Sequence, residues 1–218
     1  MLLNVEDIRK QFRDLLQGDK FVIDKSGCRV LELVGVSFLA DEDSIFGEPS
    51  KMYIGTELNW YQGQKRTIHA MVGPIPKIWE DISGVGGRIQ SNYGWCIWSE
   101  ENGLQYECVK AELTRHPSSR RAIMLYNRPS MHECFNSYGM DDFICTTSVQ
   151  YFIRDSKYLD CVVNMRSNDV YYGYRNDYAW QLYVLKRLAN DLDMEPRRIT
   201  WQAGSLHLYE KHFDYARK

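Results

Sequence analysis

The stretch that most constrains the fold runs from Thr147 to Tyr209. Thr147–Arg154 and Tyr158–Met165 read as strands, and Asp155, Ser156 and Lys157 between them suit a tight hairpin turn. From Asn176 to Leu192 the period changes. Ala179, Leu182, Leu185, Ala189 and Leu192 recur as on one face of a long helix that ends before Pro196. Ile199–Tyr209 returns to strand character. Long strands mixed with a few amphipathic helices argue an α+β fold.

Upstream, Asn4 followed by Asp7 marks a helix start; Ile8, Phe12, Leu15 and Leu16 share one face, and Gly18 supplies a stop. Phe21–Ile23 and Arg29–Leu39 read as strands around an Asp24-Lys25-Ser26-Gly27 turn. Met52–Gln62 reads as a helix carrying Glu57 and Trp60. Residues 73–92 hold two prolines and Gly84, Gly86 and Gly87, which predicts loop, without the spacing of a dinucleotide-binding loop. Leu104, Cys108 and Ala111 mark a helix ending before Pro117, and Ala122–Tyr126 a strand. No repeat, linker or low-complexity segment interrupts the 218 residues, so one domain over 1–218 is expected.

The net charge of -2, from 27 basic and 29 acidic residues, gives no field for a polyanion, so direct nucleic-acid binding is not expected. Six dispersed cysteines lack a C-x-x-C pair and zinc-ligand spacing, so no metal is expected. Cys28, Cys96, Cys108, Cys134 and Cys161 are expected to be reduced packing residues. No apolar run approaches the roughly 18–20 residues that span a bilayer. These features read as a soluble, cytoplasmic protein.

The chemistry concentrates in three segments. Asp141-Asp142-Phe143-Ile144-Cys145-Thr146-Thr147-Ser148-Val149-Gln150-Tyr151 carries a thiol at the head of a strand. Arg166-Ser167-Asn168-Asp169 and Gly173-Tyr174-Arg175-Asn176-Asp177 follow. A pyrimidine ring accepts a soft nucleophile at C6, which makes C5 nucleophilic in turn, and a thiolate beside cationic groups suits that task.

Together these segments resemble the thymidylate synthase superfamily, and its deoxycytidylate 5-hydroxymethylase branch more than thymidylate synthase itself. The likeness runs from Phe21 to Phe213. Thymidylate synthases have Pro-Cys-His where this chain has Ile144-Cys145-Thr146, and the missing histidine favours the hydroxymethylase branch. The resemblance implies a thymidylate synthase-type single domain with a large mixed sheet flanked by helices. It also implies a homodimer with shared active sites, whose substrates are a pyrimidine nucleoside monophosphate and 5,10-methylenetetrahydrofolate. Cys145 becomes the nucleophile, and Arg166, placed near it, lowers its pKa. Arg166 and Ser167 become phosphate ligands together with Lys25, and Arg120-Arg121 reach the neighbouring subunit's nucleotide. Glu57 organises water and moves protons, beside the cleft aromatics Trp79 and Tyr93. Asp169 meets the pterin, and His207 with Tyr209 holds the sugar hydroxyl.

Asp177 aligns with the family's asparagine. An amide complements uracil, whereas a carboxyl accepts from cytosine N4 and can share a proton with N3. Asp177 also reads as a carboxylate opening a long helix, and both roles can hold together. The remaining alternatives are a dUMP-directed enzyme, a ribo-CMP hydroxymethylase and a catalytically impaired nucleotide-binding protein. His69, His116, His132 and His212 read as surface or satisfied polar residues. The chain stops at Lys218, whereas family members usually carry a further segment that closes over the folate.

Overall fold

The structure, a computed structural model, describes residues 2–135 and 139–217. In chain order the elements are α1 (Val5–Gln17), β1 (Val22–Ile23), β2 (Arg29–Leu39), α2 (Lys51–Gln62), α3 (Lys77–Ile82), α4 (Tyr93–Trp98) and α5 (Gln105–Arg115). There follow β3 (Ile123–Leu125), α6 (Met131–Cys134), β4 (Thr146–Arg154), β5 (Tyr158–Asp169), α7 (Gly173–Asp191), β6 (Glu195–Tyr209) and α8 (Phe213–Ala216). The chain gathers into two compact units, Met1–Pro49 with Ile153–Lys218, and Ser50–Phe152.

The first unit is built on a mixed sheet. β2 pairs antiparallel with β1 and β6, whereas β5 and β6 run parallel. A parallel pair needs a crossover, and α7 supplies it. Tyr174, Trp180, Val184, Leu185 and Leu188 of α7 are buried, as are Cys161 and Val163 of β5 and Ile199 and Trp201 of β6. The Tyr174 and Trp201 rings meet edge to face at 5.1 Å. Truncating an indole so enclosed costs about 3–5 kcal/mol. α1 begins as its sequence demands: Asn4 accepts from the Asp7 amide and Asp7 from the Asn4 amide, both at 3.0 Å.

In the β1–β2 turn, Asp24 Oδ1 accepts from the Ser26 amide, the Ser26 hydroxyl and the Cys28 amide at 2.8, 2.6 and 2.9 Å. Gly27, at φ +81°, closes the turn in the left-handed region that suits glycine. The expected Asp155-Ser156 hairpin turn is present, with both residues at positive φ and the Lys157 amide donating to the Arg154 carbonyl at 3.1 Å. Two boundaries near the candidate site differ from expectation. β5 extends beyond Met165 to Asp169, so Arg166, Ser167 and Asp169 lie on a strand. α7 starts at Gly173, three residues early, because Asp169 accepts the amides of Tyr171 and Tyr172 at 3.1 and 3.0 Å and turns the chain there. Asp177 therefore lies a full turn inside α7 and does not open it, which removes the helix-opening role expected for it.

The second unit is mostly helical and holds the antiparallel β3–β4 pair. Part of the stretch expected as loop is the short helix α3, and it is followed by α4. α4 is packed closely against α2: a Cβ on Gly94 would lie 1.8 Å from the Tyr61 carbonyl oxygen. Only glycine permits that approach. Among the described residues no helix is long and apolar enough to cross a membrane, and no group of three or more His, Cys, Asp or Glu is set to hold a metal.

Candidate active site

Glu57 faces inward from α2, 5% exposed and without a cationic partner among its named contacts. Tyr53, one turn earlier on the same helix, donates its hydroxyl to Glu57 Oε1 at 2.8 Å. Trp79 Nε1 donates in turn to the Tyr53 oxygen at 2.9 Å. Burial pushes the Glu57 carboxyl up to about 7, and hydrogen bonds from Tyr53, Tyr61 and Trp79 offset only part of that rise. A carboxyl poised near neutrality can both take and return a proton.

The wall around Glu57 is aromatic. Trp79 meets Trp60 edge-on at 5.1 Å, Trp60 stacks on Tyr61 at 5.4 Å, and Tyr61 stacks on Tyr93 at 5.1 Å. Tyr93 then meets Tyr126 edge-on at 5.3 Å. Such rings exclude water, which is the desolvation that raises the carboxyl. Tyr93 is fully packed and Trp79 half-exposed, so the sequence reading of two cleft aromatics separates into one core ring and one accessible ring.

Two buried polar residues, which the sequence reading missed, brace this unit. Asp142 accepts from the Gln90 amide at 2.6 Å, the Ser91 amide at 2.8 Å and the Ser91 hydroxyl at 2.5 Å. It thereby ties the segment leading into Cys145 to the one leading into α4. Asn92 caps α4 through the Trp95 amide at 2.8 Å and donates to the carbonyls of Trp60 and Lys65 at 3.0 and 3.1 Å. Cys145 is half-buried immediately before β4, and the following Thr146 is buried. Arg120 and Arg121 are exposed; Arg121 Nε lies 3.2 Å from Glu112 Oε1, a solvent-screened pair that leaves the guanidinium available.

In the first unit, burial along β5 and β6 changes phase. Cys161, Val163 and Met165 are buried, then Asn168 and Val170; Ile199, Trp201 and Ala203 are buried, then Leu206 and Leu208. The switch falls where Gly204 meets β5: a Cβ there would lie 2.9 Å from the Arg166 carbonyl oxygen. Side chains at every second residue share a face. Beyond the switch, Ser167 and Asp169 of β5 therefore share one face with Ser205, His207 and Tyr209 of β6, all half-exposed. Arg166 is exposed at the switch, near enough to His207 to act on it electrostatically, and Lys25 is exposed in its turn.

Asp177 projects from α7 toward β5, where Asn168 Nδ2 donates to its Oδ2 at 2.7 Å. Asn168 is 2% exposed, and its own Oδ1 has no partner among the described residues. Gly173 passes close by, since a Cβ there would sit 3.1 Å from Asn168 Nδ2. Asp177 is thus held by a neutral donor, with Oδ1 not engaged by that amide. His207 sits between Glu32 of β2 and Asp169 of β5 in strand register. Burial holds its pKa below the usual histidine range, while Asp169 and Glu32 pull it upward.

Two other expectations change. Cys28 and Cys108 are exposed and so are not packing residues, whereas Cys96 and Cys161 are buried, with the Cys96 thiol pushed up to about 12 by desolvation. His212 is not a surface or satisfied residue: it stacks on Tyr171 at 3.8 Å, and its Nε2 is buried with no hydrogen-bond partner among the described residues. A cavity of about 470 Å³ between α1 and α8, lined by Arg13, Arg29, Glu210 and Arg217, contains none of the expected site residues.

Residues 50–218 match the family model described as thymidylate synthase. Over 97% of its length the chain is 49% identical to the deoxycytidylate 5-hydroxymethyltransferase of Enterobacteria phage T6, 88% of which is covered. It is 48% identical, with the same coverage, to the enzyme of that name from Enterobacteria phage T4. A thymidylate synthase from Rhodopseudomonas palustris is 30% identical over 64% of this chain and 45% of that protein.

Proposed function

The chain belongs to the thymidylate synthase family, and on that premise we propose that it converts dCMP, 5,10-methylenetetrahydrofolate and water to 5-hydroxymethyl-dCMP and tetrahydrofolate. The observation that carries this reading is the carboxyl of Asp177, held by a neutral amide donor on one oxygen. Cytosine offers a donor at N4 and an acceptor at N3, and a carboxyl sharing a proton satisfies both. The likeness to phage deoxycytidylate 5-hydroxymethyltransferases over nearly the whole chain supports it.

The Cys145 thiolate forms a bond to C6, and the displaced electron pair makes C5 nucleophilic. C5 attacks the folate-borne methylene carbon, and loss of the C5 proton with departure of tetrahydrofolate leaves an exocyclic methylene on the ring, to which water adds. Trp79, half-exposed with its N–H committed to Tyr53, leaves a ring face suited to a flat pterin. Asp169 accepts two backbone amides and keeps lone pairs for an aminopyrimidine edge. Glu57 takes a proton from the water that becomes the new hydroxyl, after which the C6–sulfur bond breaks and the thiolate leaves. Arg166, Ser167 and Lys25 hold the phosphate, His207 and Tyr209 the sugar hydroxyl, and Tyr93 backs the aromatic wall around Glu57.

The two units act as one catalytic domain over residues 1–218. The exposed pair Arg120-Arg121 serves the nucleotide of a second copy, so the working form is a homodimer. In this reading the enzyme acts in a host cytoplasm, on a mononucleotide and without direct binding to nucleic acid or membrane, and no metal enters the scheme. Tritium release from C5-labelled dCMP, dUMP and CMP, assayed in parallel with the folate, tests the assignment. Release from dCMP well above both others is expected; preferential release from dUMP or CMP would overturn it.

A further inference from the structure

We propose that Glu32 and Ser205 are positioning residues for His207, fixing its proton on Nδ1 so that Nε2 accepts a hydrogen bond from the nucleotide's sugar hydroxyl. This rests on the assignment of His207 to the sugar made above.

The argument begins with register. β2 and β6 place Glu32 directly opposite His207, and Ser205, two residues earlier, shares the face of His207. The Ser205 hydroxyl donates to Glu32 Oε1. A hydroxyl has one proton to give, so toward His207 Nδ1, 3.4 Å away, Ser205 Oγ can only accept. Nδ1 then carries the hydrogen, and the Ser205 backbone offers the same ring a second acceptor. Burial keeps the ring neutral at neutral pH, so the lone pair resides on Nε2. A chain of donors results, from sugar hydroxyl to Nε2 and from Nδ1–H through Ser205 to the Glu32 carboxylate. Its end is an anion, which strengthens each link and penalises any ligand lacking the first hydroxyl. Without Glu32 the serine proton is free to turn toward Nδ1, which moves the ring hydrogen to Nε2, where it opposes the O–H that the sugar would donate.

The test compares kcat/KM for dCMP and 2′,3′-dideoxy-CMP in the wild type, Ser205→Ala and Glu32→Ala. The wild type should prefer dCMP, and each variant should lose about tenfold of that preference, the worth of one hydrogen bond. Glu32→Gln, whose amide oxygen can still accept, should keep most of it. Nitrogen-15 shifts of the His207 ring supply a readout independent of turnover: Nδ1–H in the wild type, and a mixture with Nε2–H in Glu32→Ala. Variants that slow both substrates equally, with the ring hydrogen still on Nδ1, would overturn the inference. A wild type indifferent to the missing hydroxyl would overturn the sugar assignment beneath it.

Discussion

Glu57 and Asp177 are both carboxyls inside helices, yet the first is enclosed by aromatic rings and pushed up to about 7, while the second lies half-exposed beside an amide donor at 2.7 Å. The unit around Glu57 removes water and offers hydroxyl and indole donors without a cation, which leaves the proton exchangeable near neutral pH. The unit around Asp177 fixes one oxygen through Asn168 and so gives the other a defined direction. In the proposed reaction one environment moves protons and the other reads them. The same side-chain chemistry serves either end according to what surrounds it.

The largest effect should fall on the proposed nucleophile, which belongs to the same unit as Glu57. Cys145→Ser should reduce turnover by roughly 10⁴-fold or more, because a hydroxyl is far less nucleophilic than a thiolate. Nucleotide binding, measured by calorimetry, should survive. Mixed with an Arg121→Ala chain, the inactive variant should regain activity, since one site of the heterodimer then carries both lesions and the other neither. Heterodimers that form and stay inactive would confine the arginines to their own subunit.

Glu57→Gln should lower kcat by about 10²- to 10⁴-fold, the range for a lost general base. It should also alter stability in a predictable direction. The carboxyl titrates near 4.5 when unfolded and about 7 when folded, so its stabilising effect is complete below about 4.5 and is lost as pH rises through about 7. Denaturant titrations of the wild type should show that decline, and Glu57→Gln should flatten it. An unchanged slope would mean that Glu57 is already ionised in its aromatic enclosure.

On the reading side, Asp177→Asn should shift the dCMP-to-dUMP ratio of kcat/KM by on the order of 10²-fold toward dUMP. The amide restores uracil's donor and acceptor and loses the carboxyl's shared proton. An unchanged ratio would remove the cytosine assignment's main support and break the contrast between the two carboxyls.

What the sequence made legible follows from the range of the forces involved. α1 and the β1–β2 turn are set by neighbours within four residues, Asn4 with Asp7 and Asp24 with Ser26 and Cys28, so their patterns suffice. α4 was missed because Tyr-Gly-Trp-Cys-Ile-Trp is buried on nearly all sides and has no polar face to set a period. Cys145, Arg166 and Asp177 were legible as candidates only as parts of a family pattern. Asn168 and Ser205 were not, because their partners Asp177 and Glu32 lie across a helix–strand contact and a strand register that folding alone creates. Tyr53 left a signal, the four-residue spacing to Glu57 on one helix, which is too common to single out.

The smallest expected effect tests the aromatic enclosure most directly. Tyr53→Phe removes one hydroxyl and keeps the ring, so packing against α2 and Trp79 changes little. It deletes the 2.8 Å hydrogen bond to Glu57 Oε1 and the 2.9 Å one that the Tyr53 oxygen accepts from Trp79. A donor to a carboxylate favours its ionised form, so losing it must raise the Glu57 pKa further above about 7. Less of the base is then present at neutral pH, and kcat should fall only about three- to tenfold there, recovering as the pH rises, because the shift from one hydrogen bond is about one unit or less. The acidic limb of the kcat profile should therefore move to higher pH in Tyr53→Phe and vanish in Glu57→Gln. A limb that stays in place in Tyr53→Phe would assign it to another group and leave Tyr53 as packing alone.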